Sequence, residues 1–370
     1  EFAILISCGS AITALHKHGI KPDILVQVER TKSIYDFMVN LDDPEYLKDI
    51  LFFSTDVIHP DCPTLFKRSI LAFKNNEPGE ILCQTYFPLA SEKFAKLRAV
   101  NPLVGNIGIS APIQLGFKNL YLFGLDNGYK NKEHHHSKSS AYYNSEKNAK
   151  ILGELMYSTN ERYCEANFGG VVISNAMYDT SRYIIEQVLA ENRTVNCINC
   201  SDGAKIAGTR SVPCSEVGLY QKLDKSSILD EIKTRLCSPL TLPMQDLHGF
   251  LDIDFFNYFI DKVIDEWKQD FSSRSQINQL MLKHFAYLGQ IVETRQRLIA
   301  QMLSGSMNYI FTLLSATLYS CEEEEDALNL MTPAIGLWIE FLQKARELYP
   351  NALDSIDMID DETINLFKRT

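Results

Sequence analysis

Short apolar runs alternate with amphipathic segments through the first half of the sequence, and this alternation constrains the fold more than any other feature. Residues 2–7, 23–29 and 50–55 read FAILIS, DILVQVE and ILFFST, which are near-continuous apolar runs of strand length. Strands that are apolar on both sides are typical of a parallel sheet covered by helices on its two faces. We therefore predict an α/β fold with a Rossmann-like, mostly parallel sheet.

The pattern changes near residue 226, after which apolar residues recur at spacings of three and four. This helical periodicity covers residues 255–267, 276–303 and 331–349. No fixed repeat relates these segments, which argues against a solenoid. We predict a Rossmann-like domain over residues 1–215, followed by an all-helical C-terminal domain over residues 216–370.

The composition argues against several classes of protein. The formal net charge of -11 is unsuited to nucleic acid, which needs a basic surface that displaces phosphate counterions. No run reaches the roughly 18–20 apolar residues of a membrane helix, so we expect no membrane insertion. The nine cysteines are scattered and odd in number, which is typical of reduced thiols in a cytoplasmic protein. We interpret the Cys197-x-x-Cys200 pair as part of a buried strand, with a zinc or redox role as the alternative.

Polar side chains follow several of the predicted strands. Ligands of parallel α/β sheets bind beyond the carboxyl ends of the strands. This rule selects Glu29, Asp126, Asn175 and Asn199, each at or just past a predicted strand end. We expect these side chains to line a binding site.

Three adjacent histidines, His134, His135 and His136, follow Asp126 in the segment after a predicted strand. The free pKa of histidine lies nearest neutral pH, which suits one of them to take a proton from a hydroxyl nucleophile. Metal binding is an alternative, although the spacing matches no zinc signature. A second alternative is a solvated loop in which the histidines have no chemical role.

A glycine-containing turn precedes a short predicted helix that ends at Gly116. Gly105 and Gly108 flank Asn106 in this turn. Backbone N–H groups at a helix start, with glycines that allow close approach, form a cradle for anions. A tight turn that binds nothing would have the same sequence.

Three further features have competing interpretations. The hydroxyls of Tyr142 and Tyr143 are able to donate to a departing phosphate, or the rings serve packing. Residues 202–208 form a glycine-rich turn beside Ser201. Residues 252–254 read DID, as in metal-dependent glycosyltransferases, but they lie in the helical region and we interpret them as a helix cap.

Four segments in combination resemble one protein family. They are residues 12–30 with HGIKPD, 116–143 with GLDNGY and the histidines, 166–187, and 197–209 with N-x-S-x-G-A-K-I-x-G. Together they resemble the motility-associated factor (Maf) flagellin glycosyltransferases of bacteria. The central domain of that family is shared with archaeal 6-hydroxymethylpterin diphosphokinase (MptE-like) proteins. The resemblance covers residues 1 to 215. The helical remainder resembles the family's C-terminal region only in its general helical pattern.

The resemblance implies a fold and a reaction. The implied fold is a Rossmann-like domain similar to that of bacterial sialyltransferases. The implied reaction moves a nonulosonic acid, pseudaminic or legionaminic acid, from its CMP-activated form to Ser or Thr of flagellin. By analogy with sialyltransferases the reaction would invert the anomeric centre and require no cofactor, with a divalent metal as an alternative. The helical domain is then expected to hold flagellin.

The resemblance also assigns site residues. Asp126 and the histidines His134, His135 and His136 take the catalytic positions, with a histidine as general base. The donor-binding candidates are Gly105, Asn106, Ser110, Asn199, Ser201 and Gly203 from the family motifs, together with Glu29, Asn175, Tyr142 and Tyr143 from their positions in the sequence. Family members usually carry a further strand and a Gly-Pro-Ser-like turn upstream, so we expect the natural protein to extend beyond residue 1.

Two other functions fit the same sequence. An ATP- and Mg²⁺-dependent diphosphokinase acting on a small heterocycle shares the central fold but has little use for a large helical domain. A non-catalytic flagellin-binding protein on an enzyme-like fold is the other alternative.

Overall fold

The apolar runs form parallel strands in a computed structural model of the protein, which describes residues 1–130, 161–235 and 247–354. Five strands make one sheet in the order β1-β2-β3-β4-β5, and every neighbouring pair is parallel. These strands are β1 (Ile6–Cys8), β2 (Ile24–Val26), β3 (Leu51–Thr55), β4 (Ser69–Lys74) and β5 (Lys96–Leu97). Since the sheet is parallel, all its carboxyl ends lie at one edge, which we name the carboxyl edge.

The other strands form two smaller sheets. A parallel sheet has the order β10-β9-β6, and β7 pairs with β8 in an antiparallel hairpin. Their bounds are β6 (Asn119–Leu122), β7 (Arg162–Glu165), β8 (Val171–Ser174), β9 (Asn196–Asn199) and β10 (Thr209–Ser211). Asn175 therefore follows a strand of an antiparallel pair, and the strand-end rule that selected it from the sequence does not apply.

Helices account for most of the remaining described residues. They are α1 (Ala11–Lys17), α2 (Lys32–Val39), α3 (Pro44–Lys48), α4 (Pro78–Tyr86), α5 (Pro88–Ser91), α6 (Val104–Gln114), α7 (Ala176–Glu191), α8 (Lys225–Arg235), α9 (Ile253–Trp267), α10 (Arg274–Ile291), α11 (Arg297–Leu318) and α12 (Glu324–Leu348). Gly116, at φ +92°, follows the end of α6 as predicted.

Apolar clusters cover both faces of the five-stranded sheet. On one face Val26 and Phe53 pack with Ile107 of α6 and Ile232 of α8. On the other face β2 and β3 pack against α1 and α2, through residues that include Ile12, Leu25, Met38 and Phe52. The predicted Rossmann-like α/β fold followed by a helical region is therefore confirmed.

The described residues divide into two compact units that interleave along the chain. The sheet unit comprises residues 1–75, 94–130 and 161–235, and the helical unit comprises residues 76–93 and 247–354. Helix α8 thus belongs with the sheet, and the segment of α4 and α5 belongs with the helices. The sequence placed its domain boundary at residue 215 and had no means of detecting the inserted segment.

The helical unit is built around the chain's two tryptophans. Trp267 and Trp338 are both buried and lie in one apolar cluster with Phe311 of α11. Residues 276–303, which have helical periodicity in the sequence, belong to two helices, because α10 ends at Ile291 and α11 starts at Arg297. Between them Thr294 donates from its hydroxyl to the Ile291 carbonyl, a local bond that competes with helix continuation.

The interpretation of residues 252–254 as a helix cap is confirmed. Asp252 precedes α9, and its carboxylate accepts from the Phe255 amide at 3.4 Å, which makes it the predicted cap. The acidic run near residue 322 begins α12, with Glu324, Glu325 and Asp326 in the first turn. Carboxylates in a first turn favour the positive end of the helix dipole. Within the described ranges, none of the helices is both long enough and apolar enough to cross a bilayer.

Candidate active site

The start of α6 lies where turns from both parallel sheets meet. Gly9 follows β1 at φ +56°, and a Cβ at this position would lie 2.9 Å from Cγ1 of Val104. A Cβ on Gly105 would overlap the side chain of Leu125, in the loop after β6. The two glycines therefore allow the first turn of α6 to contact the loops after β1 and β6. This contact joins the two sheets into one candidate site.

Asn106 and Ser110 hold α6 in this position. Asn106 is 1% exposed, and its Oδ1 accepts from the Leu103 amide at 3.1 Å and from the Ser181 hydroxyl at 2.8 Å. Its Nδ2 donates to the Ser181 carbonyl at 3.0 Å, which ties α6 to α7. Ser110 donates to the Ala99 and Asn106 carbonyls at 3.1 and 3.0 Å. Both side chains therefore fix the helix start through bonds within the protein.

The loops after β6 and β9 are locked together through their backbones. The Ala204 amide donates to the Asp126 carbonyl at 2.7 Å, and Ser201 Oγ accepts from the Leu125 amide at 2.9 Å. A Cβ on Gly203 would overlap the backbone of Asp126, so only glycine allows this approach. Ser201 and Gly203 thus position the loop that carries Asp126.

Asn167, which the sequence did not select, clamps the loop after β9. Its Nδ2 donates to the Asn199 and Ser201 carbonyls at 3.0 and 2.9 Å, and its Oδ1 accepts from Ser211 at 2.7 Å. Its own amide donates to the Gly203 carbonyl. The glycines at 169 and 170, which mark a turn after a short polar segment, were the only sequence signal near it.

Asp126 carries a carboxylate in a desolvated position. Burial raises the pKa of this carboxyl, and the nearby charge of Asp202 raises it further. Asp202 is itself paired with Lys130, whose ammonium lies 2.7 Å from both of its carboxylate oxygens. Within the described part of the chain, no hydrogen bond holds the Asp126 carboxylate. An ionised group kept in such a place is costly, which is typical of functional sites.

Two amide donors near Asp126 are buried without a partner. Nδ2 of Asn127 and Nδ2 of Asn199 contact no acceptor among the described residues. Asn199 is fully buried, and its Oδ1 accepts from the Ser201 amide at 3.0 Å. A buried donor without an acceptor costs free energy, which a bound ligand would recover.

Asn175 is the N-cap residue of α7. Its side chain accepts from the Tyr178 amide at 3.0 Å and caps the first turn of α7. It is 4% exposed.

A pocket of about 300 Å³ opens at the carboxyl edge of the five-stranded sheet. We name it the edge pocket, and its lining residues are Val28, Glu29, Arg30, Lys74, Asn101 and Pro102. Glu29 was predicted from the sequence, whereas Arg30 and Lys74 were not. Lys74 is the last residue of β4, so the strand-end rule would have selected it had it been applied to residues 69–74.

Some predictions fall outside the described residues. His134, His135, His136, Tyr142 and Tyr143 lie in the range 131–160, and their roles stay predictions. Cys197 and Cys200 are free and buried, and burial raises the pKa of the Cys197 thiol to about 12. Within the ranges that the structure describes, no cluster of three or more His, Cys, Asp or Glu side chains suited to a metal ion occurs.

The comparisons with known proteins agree with this fold. Residues 1–132 match the family model of 6-hydroxymethylpterin diphosphokinase MptE-like proteins. The structure of a Maf glycosyltransferase from Magnetospirillum magneticum AMB-1 superposes with a TM-score of 0.63 at 19% sequence identity. No curated protein matches the chain.

The Maf match extends over almost the whole chain. It covers 99% of this chain but 54% of that structure's chain, so this chain spans about half the length of the protein it matches. The chain therefore carries an MptE-like region over residues 1–132 within the fold of a Maf glycosyltransferase, and the resemblance expected from its motifs is confirmed.

Proposed function

We propose that the protein is a cytoplasmic glycosyltransferase that moves a nonulosonic acid from a CMP-activated donor to Ser or Thr hydroxyls of flagellin. The observation that supports this most is the shared fold with a Maf glycosyltransferase over 99% of the chain. The position of Asp126, Asn199 and the edge pocket beyond strand ends of parallel sheets adds support, because ligands of such sheets bind there.

In the proposed reaction, an acceptor hydroxyl attacks the anomeric carbon of the sugar with inversion. A histidine among residues 134–136 takes the hydroxyl proton as general base. The desolvated carboxylate of Asp126 supports this base, either as the partner that orients the imidazole or as an acceptor for the sugar. Burial raises the pKa of this carboxyl, so a hydrogen bond donated by the imidazole or by the sugar would stabilise its ionised form.

The bond from the anomeric carbon to the phosphate breaks as the new glycosidic bond forms. The electron pair goes to the phosphate oxygen, and CMP leaves as a dianion. Buried amide donors without partners, such as Nδ2 of Asn199, suit a site that receives oxygen atoms of a ligand. No metal is required in this scheme.

A transfer assay tests the proposal. The full chain is incubated with flagellin and either CMP-pseudaminic acid or CMP-legionaminic acid, and intact flagellin is weighed by mass spectrometry. We expect flagellin to gain the mass of whole sugar residues with one of the two donors. Absence of transfer from both donors, with flagellin confirmed as folded, would overturn the proposal. Single His→Ala variants at 134, 135 and 136 then identify the base, and full activity in all three would exclude that assignment.

A second candidate is a diphosphokinase, which the MptE-like match of residues 1–132 favours. Such an enzyme transfers pyrophosphate from ATP with Mg²⁺. Calorimetric titration with CMP and with ATP, each with and without Mg²⁺, separates the two functions. Preference for CMP supports the glycosyltransferase, and preference for Mg·ATP supports the kinase. Binding of flagellin with neither nucleotide would support the non-catalytic alternative.

A further inference from the structure

The edge pocket contains two cationic side chains whose role no sequence motif suggested. Lys74 ends β4 and is 7% exposed, whereas Arg30 is exposed and follows β2 by four residues. A lysine this deeply buried is rare unless a negative group balances its charge. The pocket is thus lined by one buried and one exposed cationic residue.

An unsatisfied hydroxyl lies on the same face of the sheet. Thr55 pairs in register with Ala72, and Lys74 follows Ala72 by two residues, so Thr55 and Lys74 project from the same face. Thr55 is fully buried, and its hydroxyl has no hydrogen-bond partner among the described residues. Val28, which belongs to the same apolar face, also lines the pocket. The hydroxyl therefore lies on the sheet face that Val28 and Lys74 share, and a ligand that reaches this face would supply its missing acceptor.

Acidic groups nearby limit what the pocket is able to bind. Glu29 lines it, and the Asp56 carboxylate accepts from the Lys74 amide at 2.8 Å. With these two carboxylates the region has as many acidic as basic side chains, so net charge alone does not attract an anion to the pocket. Selection of an anion here depends on direct bonds from the ammonium, the guanidinium and the hydroxyl.

We propose that Arg30, Lys74 and Thr55 form the subsite for the phosphate of the donor nucleotide. Glu29 then accepts a hydrogen bond from a hydroxyl of the same nucleotide. This rests on the proposed function. A phosphate ester suits the set because its oxygens accept from a compact ammonium, a forked guanidinium and a hydroxyl together. A volume of about 300 Å³ is at the small end of ligand sites and has room for a phosphate with part of its nucleoside.

In the proposed reaction, the subsite binds the leaving group. When the bond between the anomeric carbon and the phosphate oxygen breaks, the phosphate gains one negative charge. Fixed cations at this position stabilise the developing charge more than the intact donor. Arg30 and Lys74 would therefore affect turnover as well as donor binding.

Calorimetric titration of the full chain tests the subsite with three probes: CMP, cytidine and N-acetylneuraminic acid. The variants are Lys74→Gln, Arg30→Gln and Thr55→Val. Lys118→Gln is the matched control, because Lys118 is exposed and lies before β6, at the opposite end of the strands. Circular dichroism and thermal unfolding show whether each variant folds. Arg30→Gln keeps the test decisive if loss of the buried lysine prevents folding.

We expect Lys74→Gln and Arg30→Gln each to weaken CMP binding by about 10- to 100-fold, the range for a lost charge-assisted hydrogen bond. Thr55→Val should weaken it by about 3- to 10-fold. Cytidine affinity should not change in any variant, and Lys118→Gln should bind CMP as the wild type does.

Wild-type affinity for CMP in folded Arg30→Gln and Lys74→Gln would overturn the subsite and leave the proposed function intact. Equal loss of CMP and cytidine would overturn it as well, because the defect would then not concern phosphate. Selective loss of N-acetylneuraminic acid would mean that the pocket binds the sugar carboxylate, and the assignment would be wrong. If the wild type binds Mg·ATP and not CMP, the proposed function fails, and loss of ATP binding in Lys74→Gln would still support the subsite.

Discussion

At the residue scale, Asp126 is a candidate site residue whose ionised carboxylate opposes the stability of the fold. Its folded-state pKa is raised by burial and by Asp202, so the folded chain binds a proton there more tightly than the unfolded chain. The stabilising contribution of this group is therefore present in acid and is lost as pH rises through the folded pKa. At neutral pH the ionised carboxylate reduces the stability of the fold.

Replacing Asp126 with asparagine should raise the melting temperature near neutral pH and abolish sugar transfer. The amide keeps the shape and removes the desolvated charge, and a gain of about 1 kcal/mol corresponds to roughly 2–4 °C. Differential scanning calorimetry at pH 5 and pH 8 checks the sign, since the gain over wild type should grow with pH. Asp202→Asn is the comparison: it relieves the repulsion on Asp126 but also loses the ion pair with Lys130, so its melting temperature should rise less than that of Asp126→Asn. A destabilised Asp126→Asn would contradict this account.

Gly203 lies so close to the backbone of Asp126 that any side chain at this position is unfavourable. A methyl group there would overlap backbone atoms of Asp126, which cannot rotate away as a side chain would. We expect Gly203→Ala to cost about 1–3 kcal/mol, as overpacking does, and to reduce transfer strongly because the Asp126 loop shifts. Urea unfolding and the transfer assay measure the two effects.

Gly336 offers the opposite case for the same substitution. It lies inside α12, where a methyl group would have no neighbouring atom within 4 Å among the described residues, and its φ is not positive. Gly336→Ala should therefore stabilise the helical unit by about 0.4–1 kcal/mol. Similar effects at both glycines would show that the close approach at Gly203 is not what limits substitution.

At the scale of elements, α9 and α10 are joined by a buried polar network. The Trp267 indole N–H donates to Nδ1 of His284 at 3.0 Å, so Nδ1 is an acceptor and the ring proton resides on Nε2. Nε2 lies 3.0 Å from Glu266, which also accepts from Tyr287 and pairs with Lys283. Burial opposes the ionised form of Glu266, but these hydrogen bonds outweigh it and lower its pKa. The network therefore fixes a neutral imidazole beside a charged carboxylate.

This network predicts that acid destabilises the helical unit. Burial lowers the pKa of His284, so its stabilising contribution is present above the unfolded value of about 6.5 and is lost as pH falls towards the folded value. Between about pH 7.5 and 5.5 the free energy of unfolding should fall by on the order of 1 kcal/mol. Both tryptophans lie in the helical unit, so the midpoint of guanidinium unfolding followed by their fluorescence reports on it alone.

The matched variant for this prediction is His284→Gln. Glutamine is able to accept from Trp267 and donate to Glu266 but does not titrate. Its unfolding midpoint should lose the dependence on pH in this range while lying below the wild-type midpoint at pH 7.5. A wild-type midpoint that does not move, or a variant that retains the same dependence, would assign the effect to another group.

Elements differ in how well the sequence predicted them, for identifiable physical reasons. The strand at residues 50–55 and the stop of α6 before Gly116 were predictable because a continuous apolar run and a left-handed glycine are local signals. The break between α10 and α11 was not, since residues 276–303 keep helical periodicity across the turn in which Thr294 bonds to Ile291 and Gln296. The antiparallel pairing of β8 with β7 was missed for a similar reason, because the apolar sequence of a strand does not indicate whether its neighbour is parallel or antiparallel.

At the scale of the whole molecule, the sequence predicted the fold class and which residues follow strand ends, but not how distant parts of the chain combine. Glu29 and Asp126 were found because strand ends share an edge in any parallel sheet. Asn167 is held by contacts with residues far along the chain, which periodicity does not encode, whereas Lys74 ends a strand and the same rule would have selected it. The grouping of residues 76–93 with residues 247–354 is a tertiary property of the same kind.

That grouping makes a prediction about dissecting the chain. Within the helical unit α4 packs on α11, the Tyr86 ring stacks on Phe250 with centroids 3.9 Å apart, and Arg297 donates to Gln84. A fragment that begins at residue 241 lacks this cover, including buried side chains such as Ile81, each worth about 1.5–3 kcal/mol of burial. We expect the fragment alone to unfold at a clearly lower guanidinium concentration than the tryptophan transition of the full chain.

Adding residues 76–93 back to the fragment tests whether its lower stability comes from the loss of that segment or from truncation in general. A second fragment carries residues 76–93 joined through a flexible linker to residue 241, and a third carries the same segment with Tyr86→Ala and Ile81→Ala. The second should regain most of the lost stability, because the linked segment supplies both the stacking on Phe250 and the apolar cover of α11. The third should behave like the fragment without the segment. Equal stability of all three would mean that residues 76–93 do not belong to the core of the helical unit, and that a C-terminal stretch alone encodes a folded domain.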